Sequence, residues 1–174
     1  AAPGGLNGKA HNFGGGDIFQ SVNLSPGNYT IVLQWTDDIY SLGQTSAGGT
    51  KNDLDIYLTP NTDGTALFGF NRDNSNGDPI EIIPFTVTSA TQTNILIVNN
   101  TTGSNPARFK YIVFKGDIIF NEYASGTSTL VGQANAAGAI AVGAARYDKA
   151  PPFTGPLTVE SFSSVGGTVV NNVQ

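Results

Sequence analysis

Apolar and polar residues alternate with a period of two over much of the stretch from residue 17 to residue 123, the pattern of strands with one face in a core. In 29–35, Tyr29, Ile31, Leu33 and Trp35 share a face. In 53–58 the division is cleaner, with Leu54, Ile56 and Leu58 inward and Asp53, Asp55 and Tyr57 outward. Further strands are expected over 18–24, 66–70, 80–88, 93–98, 107–114 and 118–123. Between them stand turn sequences: Ser25-Pro26-Gly27-Asn28, Asn61-Thr62-Asp63-Gly64, Asn76-Gly77-Asp78-Pro79 and Thr102-Gly103-Ser104-Asn105-Pro106. Proline presets φ in such turns, and Gly, Asn and Asp tolerate left-handed backbone. Short strands at this spacing, with no helical period between them, predict an all-β fold, an antiparallel β-sandwich of jelly-roll type.

The pattern changes near residue 124. Residues 124–145 are small and rich in Ala and Gly, and the apolar run 139–145, bounded by Gly138 and interrupted by Gly143, predicts a buried strand. Pro151, Pro152 and Pro156 follow, and then 159–164 with Gly166-Gly167 predicts another short strand and a turn. The chain therefore divides into a sandwich over 1–123 and a strand-containing C-terminal extension over 124–174. About fifty residues of this composition bury too little surface to fold alone. The extension is expected to pack on the sandwich, on a partner domain or on a second copy.

Composition narrows the classes of function. Charged residues make up 12% of the 174, about half the usual share. The 22 glycines and 9 prolines oppose a long-helix protein. The 39% apolar content opposes disorder. Net charge is −5 and the eight Lys and Arg are scattered, so no surface is expected to neutralise a run of phosphates, and nucleic acid is excluded as a partner. No apolar stretch is long enough for a membrane span. The N-terminus lacks the basic and apolar regions of a signal peptide, and with no Met in the chain Ala1 is read as a processed or excised end. The absence of Cys removes disulfides, thiol catalysis and thiolate metal sites. It fits bacterial or archaeal export, and an extracellular location is expected.

Two motifs in the tail carry a family resemblance. The run from Gly132-Gln133-Ala134-Asn135 through Gly138-Ala139-Ile140-Ala141-Val142-Gly143-Ala144-Ala145, followed by Glu160-Ser161-Phe162-Ser163-Ser164-Val165-Gly166, resembles the central strand pair of subtilisin-like serine proteases. The first 123 residues look like the β-sandwich accessory domain of some secreted members. There a Trp-Asp pair and a variable loop precede an Asn-Asp-Leu-Asp motif, matched here by Trp35, Asp37 and Asn52-Asp53-Leu54-Asp55-Ile56. In that family the order is Asp, His, oxyanion Asn, this strand, then the nucleophilic Ser, so the resemblance places the tail between the Asn and the Ser and implies a chain without catalytic residues. The single histidine, His11, lies in Ala10-His11-Asn12-Phe13-Gly14 and not in the family's His motif. Gly126-Thr127-Ser128 imitates the nucleophile's tripeptide, but Thr129-Leu130-Val131-Gly132 lacks the small residues and the proline that follow it. Nucleophilic catalysis needs Ser, His and a carboxylate within hydrogen-bond reach, and no catalytic residue is assigned.

The candidate chemistry is acidic. Asp37 and Asp38 follow one strand, Asp53 and Asp55 share a face of another, and Asp73, Asp78 and Glu81 surround a Gly-containing turn. Calcium takes six to eight oxygens from carboxylates, amides and carbonyls, which makes Asp53, Asp55, Asp37, Asp73 and Asp78 candidate calcium ligands; no other cofactor is indicated. The loop 71–78 is not an EF-hand, because aligning Gly77 with that loop's glycine puts Arg72 at its first ligand. Asn and Asp also build such loops through Asx-turns without a metal. Four glycosylation sequons begin at Asn23, Asn28, Asn99 and Asn100. Tyr40, Phe70 and Phe153 are candidate aromatic contacts for a glycan or protein.

Three roles follow as expectations. The first is a secreted, non-catalytic sandwich module of a subtilisin-like protein, structural or adhesive, whose protein partner is the remainder of the protease core. The second is a subunit that self-associates by strand donation into a filament or oligomer. The third is a piece of a nicked or split serine protease.

Overall fold

In the computed structural model the described residues are 1–43, 48–100, 108–124, 126, 129–135, 138–150, 152 and 157–166. The chain forms two units, Ala1–Ala124 and Ser125–Gln174. The first carries nine strands: β1 (Lys9–Ala10), β2 (Gln20–Leu24), β3 (Gly27–Trp35), β4 (Leu54–Thr59), β5 (Phe68–Phe70), β6 (Ile80–Val87), β7 (Thr91–Asn99), β8 (Phe109–Lys115) and β9 (Ile118–Phe120). One sheet runs β5-β4-β7-β2-β9 with β1 also on β7, and the other runs β6-β3-β8. Every pairing is antiparallel.

The alternation seen in the sequence becomes the core between the sheets. Tyr29, Ile31, Leu33 and Trp35 of β3 meet Leu54, Ile56 and Leu58 of β4, Val22 and Leu24 of β2, and Ile95 and Ile97 of β7 in one buried cluster. Each such side chain stabilises the fold by about 1.5–3 kcal/mol relative to exposure, and members from both sheets join them face to face as a β-sandwich. Tyr29 closes one end, its hydroxyl donating to the carbonyl of Ser25 or Asp117. Gly116 lies against that ring with φ +117°, and a Cβ there would stand 2.1 Å from Tyr29 Cδ1. Only glycine fits this approach without displacing the ring.

The larger sheet is covered on its outer side as well. Phe19, Tyr57, Leu96 and Val98 form a second buried cluster, packed by Ala2, Leu6, Ala10, Ile18 and Leu67. All six residues of β4 are buried. Asp55 and Tyr57, expected to point outward, do leave the central core but do not reach solvent: Asp55 is 1% exposed and Tyr57 6%. For Tyr57 the physical reason is the N-terminal segment, whose Ala2, Leu6 and Ala10 pack on the second cluster.

Within Ser125–Gln174 the described residues form two short 3-10 turns, Gly132–Asn135 and Tyr147–Lys149, and no strand. The buried strand expected over 139–145 is not formed there. Ile140 is 92% exposed and Val142 87%. A strand needs a ladder, and this segment has single anchors: Glu160 N–H donates to the Ala144 carbonyl at 2.8 Å, and Ala144 N–H donates to Ser163 Oγ at 2.9 Å. The strand expected over 159–164 is instead a turn, closed by Ser163 N–H on the Glu160 carbonyl at 3.0 Å. Isolated strand pairs of this length are marginal without a sheet to join.

Candidate functional site

Asp37 follows β3, and its Oδ2 collects donors from the segment that leads into β4. The Thr50 hydroxyl lies at 2.6 Å, Lys51 N–H at 3.0 Å, Asn52 N–H at 3.0 Å and the Asn52 amide at 2.8 Å. Oδ1 accepts from Asp38 N–H at 2.9 Å. Thr50 Oγ1 in turn accepts from the fully buried Trp35 Nε1 at 3.1 Å. Burial pushes the Asp37 pKa up, but the bonds from Thr50, Asn52, Asp38 and Lys51 outweigh it and hold the group below the ordinary value. The Trp-Asp pair noted in the sequence is thus a clamp that fixes the entry to β4.

Beyond that clamp the chain turns Asp53 and Asp55 inside, at 4% and 1% exposure, with Asn74 at 2% and Glu81 at 3%. Asp53 Oδ1 accepts Asn74 N–H at 2.9 Å. The Asn74 side-chain amide donates to the Asp78 carbonyl at 3.1 Å and to the Ile80 carbonyl at 2.8 Å, which seats Asn74 between β4 and the start of β6. Asp55 Oδ2 accepts the Tyr57 hydroxyl at 3.2 Å. Asp55 Oδ1, Glu81 Oε1 and Asn74 Oδ1 are buried with no hydrogen-bond partner.

The electrostatics follow from crowding like charges in a dry place. Burial, then the charges of Asp53 and Asp73, push Asp55 up to about 7 against the Tyr57 bond. Burial and the charge of Asp55 push Glu81 up to about 7, with Arg72 opposing and Asp53 adding a little. Asp53 is raised by burial and by Asp73, against bonds from Asn74 and Asn100. Tyr57 is also raised, by burial first and then by Asp55.

Of the five residues expected to bind calcium, Asp53 and Asp55 thus come together in the interior, whereas Asp37 belongs to the clamp. Asp73 is exposed, and its Oδ1 closes an Asx-turn on Ser75 N–H at 2.9 Å. Asp78 Oδ1 accepts Ser41 N–H at 2.8 Å, tying the loop to the 3-10 turn Tyr40–Leu42. Asn74, read in the sequence only as part of the oxygen-rich loop 71–78, ties Asp53 to the main chain at Asp78 and Ile80. A polar residue inside the loop carried no mark of its burial. Among the described residues no three His, Cys, Asp or Glu side chains form a metal-binding group as they stand.

The remaining candidates lie apart. His11 sits edge-on to Phe13 and Phe109, with centroids at 4.8 Å and 4.7 Å, and its pKa is lowered by burial. Ser128, Phe153 and the side chain of Phe70 lie outside the described residues. Tyr40 is 63% exposed. Asn23 and Asn28 are exposed, whereas Asn99 is buried and donates to Asn52 Oδ1 at 3.3 Å. Comparison with protein-family models, curated proteins and solved structures found no match to the chain.

Proposed function

We propose that the chain is a non-catalytic, extracellular β-sandwich module of a subtilisin-like protein, with a structural role. The observation that supports this reading is the antiparallel β-sandwich of 1–124, whose two buried clusters are built from its own strands and N-terminal segment. The described residues of both hydrophobic clusters lie within 1–124, which supports a sandwich that carries its own core. A protein partner is favoured by the exposed run around Ile140 and Val142, an apolar extended segment open to pairing with a sheet edge of a protease core or of a second copy.

The test is to incubate the purified chain with an unfolded protein substrate and a serine-directed fluorophosphonate, following labelling and hydrolysis. Neither is expected. Labelling and hydrolysis that disappear together in Ser128→Ala would overturn the reading.

A further inference from the structure

We infer that Asn7 is a site of spontaneous covalent modification, converting through a cyclic imide to aspartate and isoaspartate, whereas the fold shields the chain's second Asn-Gly pair from the same reaction. The chemistry needs neither an enzyme nor an oxidant. The main-chain nitrogen of the following residue loses its proton and attacks the side-chain carbonyl carbon. A C–N bond forms, the bond to the amide nitrogen breaks, and ammonia leaves with the proton. One water then opens the ring at either of its carbonyls. Glycine in the second position favours the attack, because no Cβ crowds the nitrogen or restricts its dihedrals. Asn-Gly occurs twice in the sequence, at Asn7-Gly8 and Asn76-Gly77, so the dipeptide alone makes the two sites equal.

Hydrogen bonding separates them. Asn7 and Gly8 are both exposed. Among the described residues neither the Asn7 side chain nor the Gly8 N–H has a hydrogen-bond partner, and the Gly8 carbonyl accepts Ala2 N–H at a long 3.3 Å. The nitrogen that must attack is therefore open to solvent base, and the side chain swings towards it without breaking a bond of its own. At the other pair the corresponding groups are held. Gly77 N–H donates to the Asn74 carbonyl at 2.8 Å, Asn76 N–H donates to the Thr50 carbonyl at 2.9 Å, and the Gly77 carbonyl accepts Thr50 N–H at 2.9 Å. Asn74 is itself buried and fixed by the Asp78 and Ile80 carbonyls. Ring closure at Asn76 must first open this network, which adds to its barrier.

The place of Asn7 gives the modification a structural consequence. It joins two parts of the segment that covers the larger sheet. On one side Ala2 and Leu6 pack on the buried Phe19, Tyr57, Leu96 and Val98. On the other, Lys9 and Ala10 pair with Asn99 and Val98 of β7. Isoaspartate routes the main chain through the side-chain carbon, so one extra methylene enters the link between these parts and a carboxylate is left beside it. Ala2 and Leu6 then no longer keep their places while β1 keeps its register, and the cover over the second cluster loosens.

Incubation of the folded full chain in mildly alkaline buffer, followed by peptide mass spectrometry that tells isoaspartate from aspartate, tests this. Asn7 is expected to convert at least about tenfold faster than Asn76. In urea, where the bonds around Gly77 are gone, the two rates should come within about threefold of each other. The isoaspartate form, separated by ion exchange, should show faster hydrogen exchange over β1 and at His11 N–H, which bonds the Ile97 carbonyl at 2.8 Å. Asn7→Asp, which adds the charge but no carbon to the main chain, should exchange like the unmodified chain. Equal rates at the two sites in the folded chain, or an Asn7 that stays intact, overturn the inference, and unchanged exchange over β1 in the isoaspartate form overturns the loosening of the cover.

Discussion

Asp37→Ala is expected to destabilise the sandwich by about 2–3 kcal/mol, because hydrogen bonds to a charged acceptor are worth about 1.5–3 kcal/mol each and the donors gathered on Asp37 can only partly re-pair. The donors that lose Asp37 are the Thr50 hydroxyl and both nitrogen donors of Asn52, on residues 1% and 4% exposed; the Thr50 hydroxyl also reaches the Asn52 carbonyl at 2.9 Å and Asn52 N–H the Thr50 oxygen at 3.2 Å, so the Asn52 side-chain amide bears most of the loss. Lys51 N–H, on an exposed residue, recovers water at little cost. Asp37→Asn should lose somewhat less, since its carbonyl still accepts from two of these donors. The segment 50–52 would then lose its fixed path into β4, and Trp35, bonded to Thr50, would report the change. Urea unfolding followed by the fluorescence of this single Trp measures the effect. A loss below about 1 kcal/mol, the scale of an exposed interaction, would show that the clamp does not hold the strand entry.

The second large effect concerns pH and has the opposite sign. In chelator, stability is expected to rise as pH falls from about 8 to about 5. Asp55 has a folded pKa near 7 against an ordinary 3.8, and Glu81 near 7 against 4.5. Between those limits the folded chain holds more protons than the unfolded one, so folding is favoured by acid and the gain is lost as pH rises through about 7. The groups facing the pair are Asp53, Asp73, Arg72 and the Tyr57 hydroxyl, and Asp53, itself raised by burial, adds to the effect in the same direction. The two carboxyl groups titrate as a coupled pair, and the combined change is on the order of 2–4 kcal/mol at 1.36 kcal/mol per pKa unit. In the Asp55→Asn, Glu81→Gln double variant the slope should vanish or reverse. His11, whose folded pKa lies below 6.5 through burial, then dominates and makes acid unfavourable. Melting temperatures across this pH range decide it. A melting temperature that falls with acid in the unmodified, chelated chain would contradict the electrostatics described here.

Period two carried most of the fold. The alternation through Tyr29, Ile31, Leu33 and Trp35 places β3 at Gly27–Trp35, and the strands expected near 54, 80, 95 and 110 fall at β4, β6, β7 and β8. The strand Lys9–Ala10 went unread because two residues have no period. The cleaner alternation of 53–58 misled in one respect. It separates two sides of a strand but cannot say that the far side is also covered. The run Ile95-Leu96-Ile97-Val98 in the neighbouring strand held that information, since uninterrupted apolar residues mark a strand buried on both faces. In the tail, Ala139 to Ala145 has strand composition, but composition does not supply a partner, and without one the segment stays exposed.

For the site, the acidic residues were visible in the sequence and their division of labour was not. Asp37 and Asp55 look alike in a string of letters. One meets main-chain and hydroxyl donors and is held ionised, whereas the other meets carboxylates and a dry interior and is driven towards protonation. That difference arises from which loops close over each residue. Asn74 and Glu81 come near β4 only when β6 packs across it.

The measurement that bears most directly on the proposed module is thermal unfolding of a chain ending at Ala124 beside the full chain, both followed by Trp35 fluorescence in the same buffer. Both hydrophobic clusters lie within 1–124, so the shortened chain is expected to unfold in one cooperative transition at the same midpoint, within about 2 °C. A shortened chain with no cooperative transition, or with a midpoint lower by about 10 °C or more, would contradict the claim that the sandwich is a self-standing module.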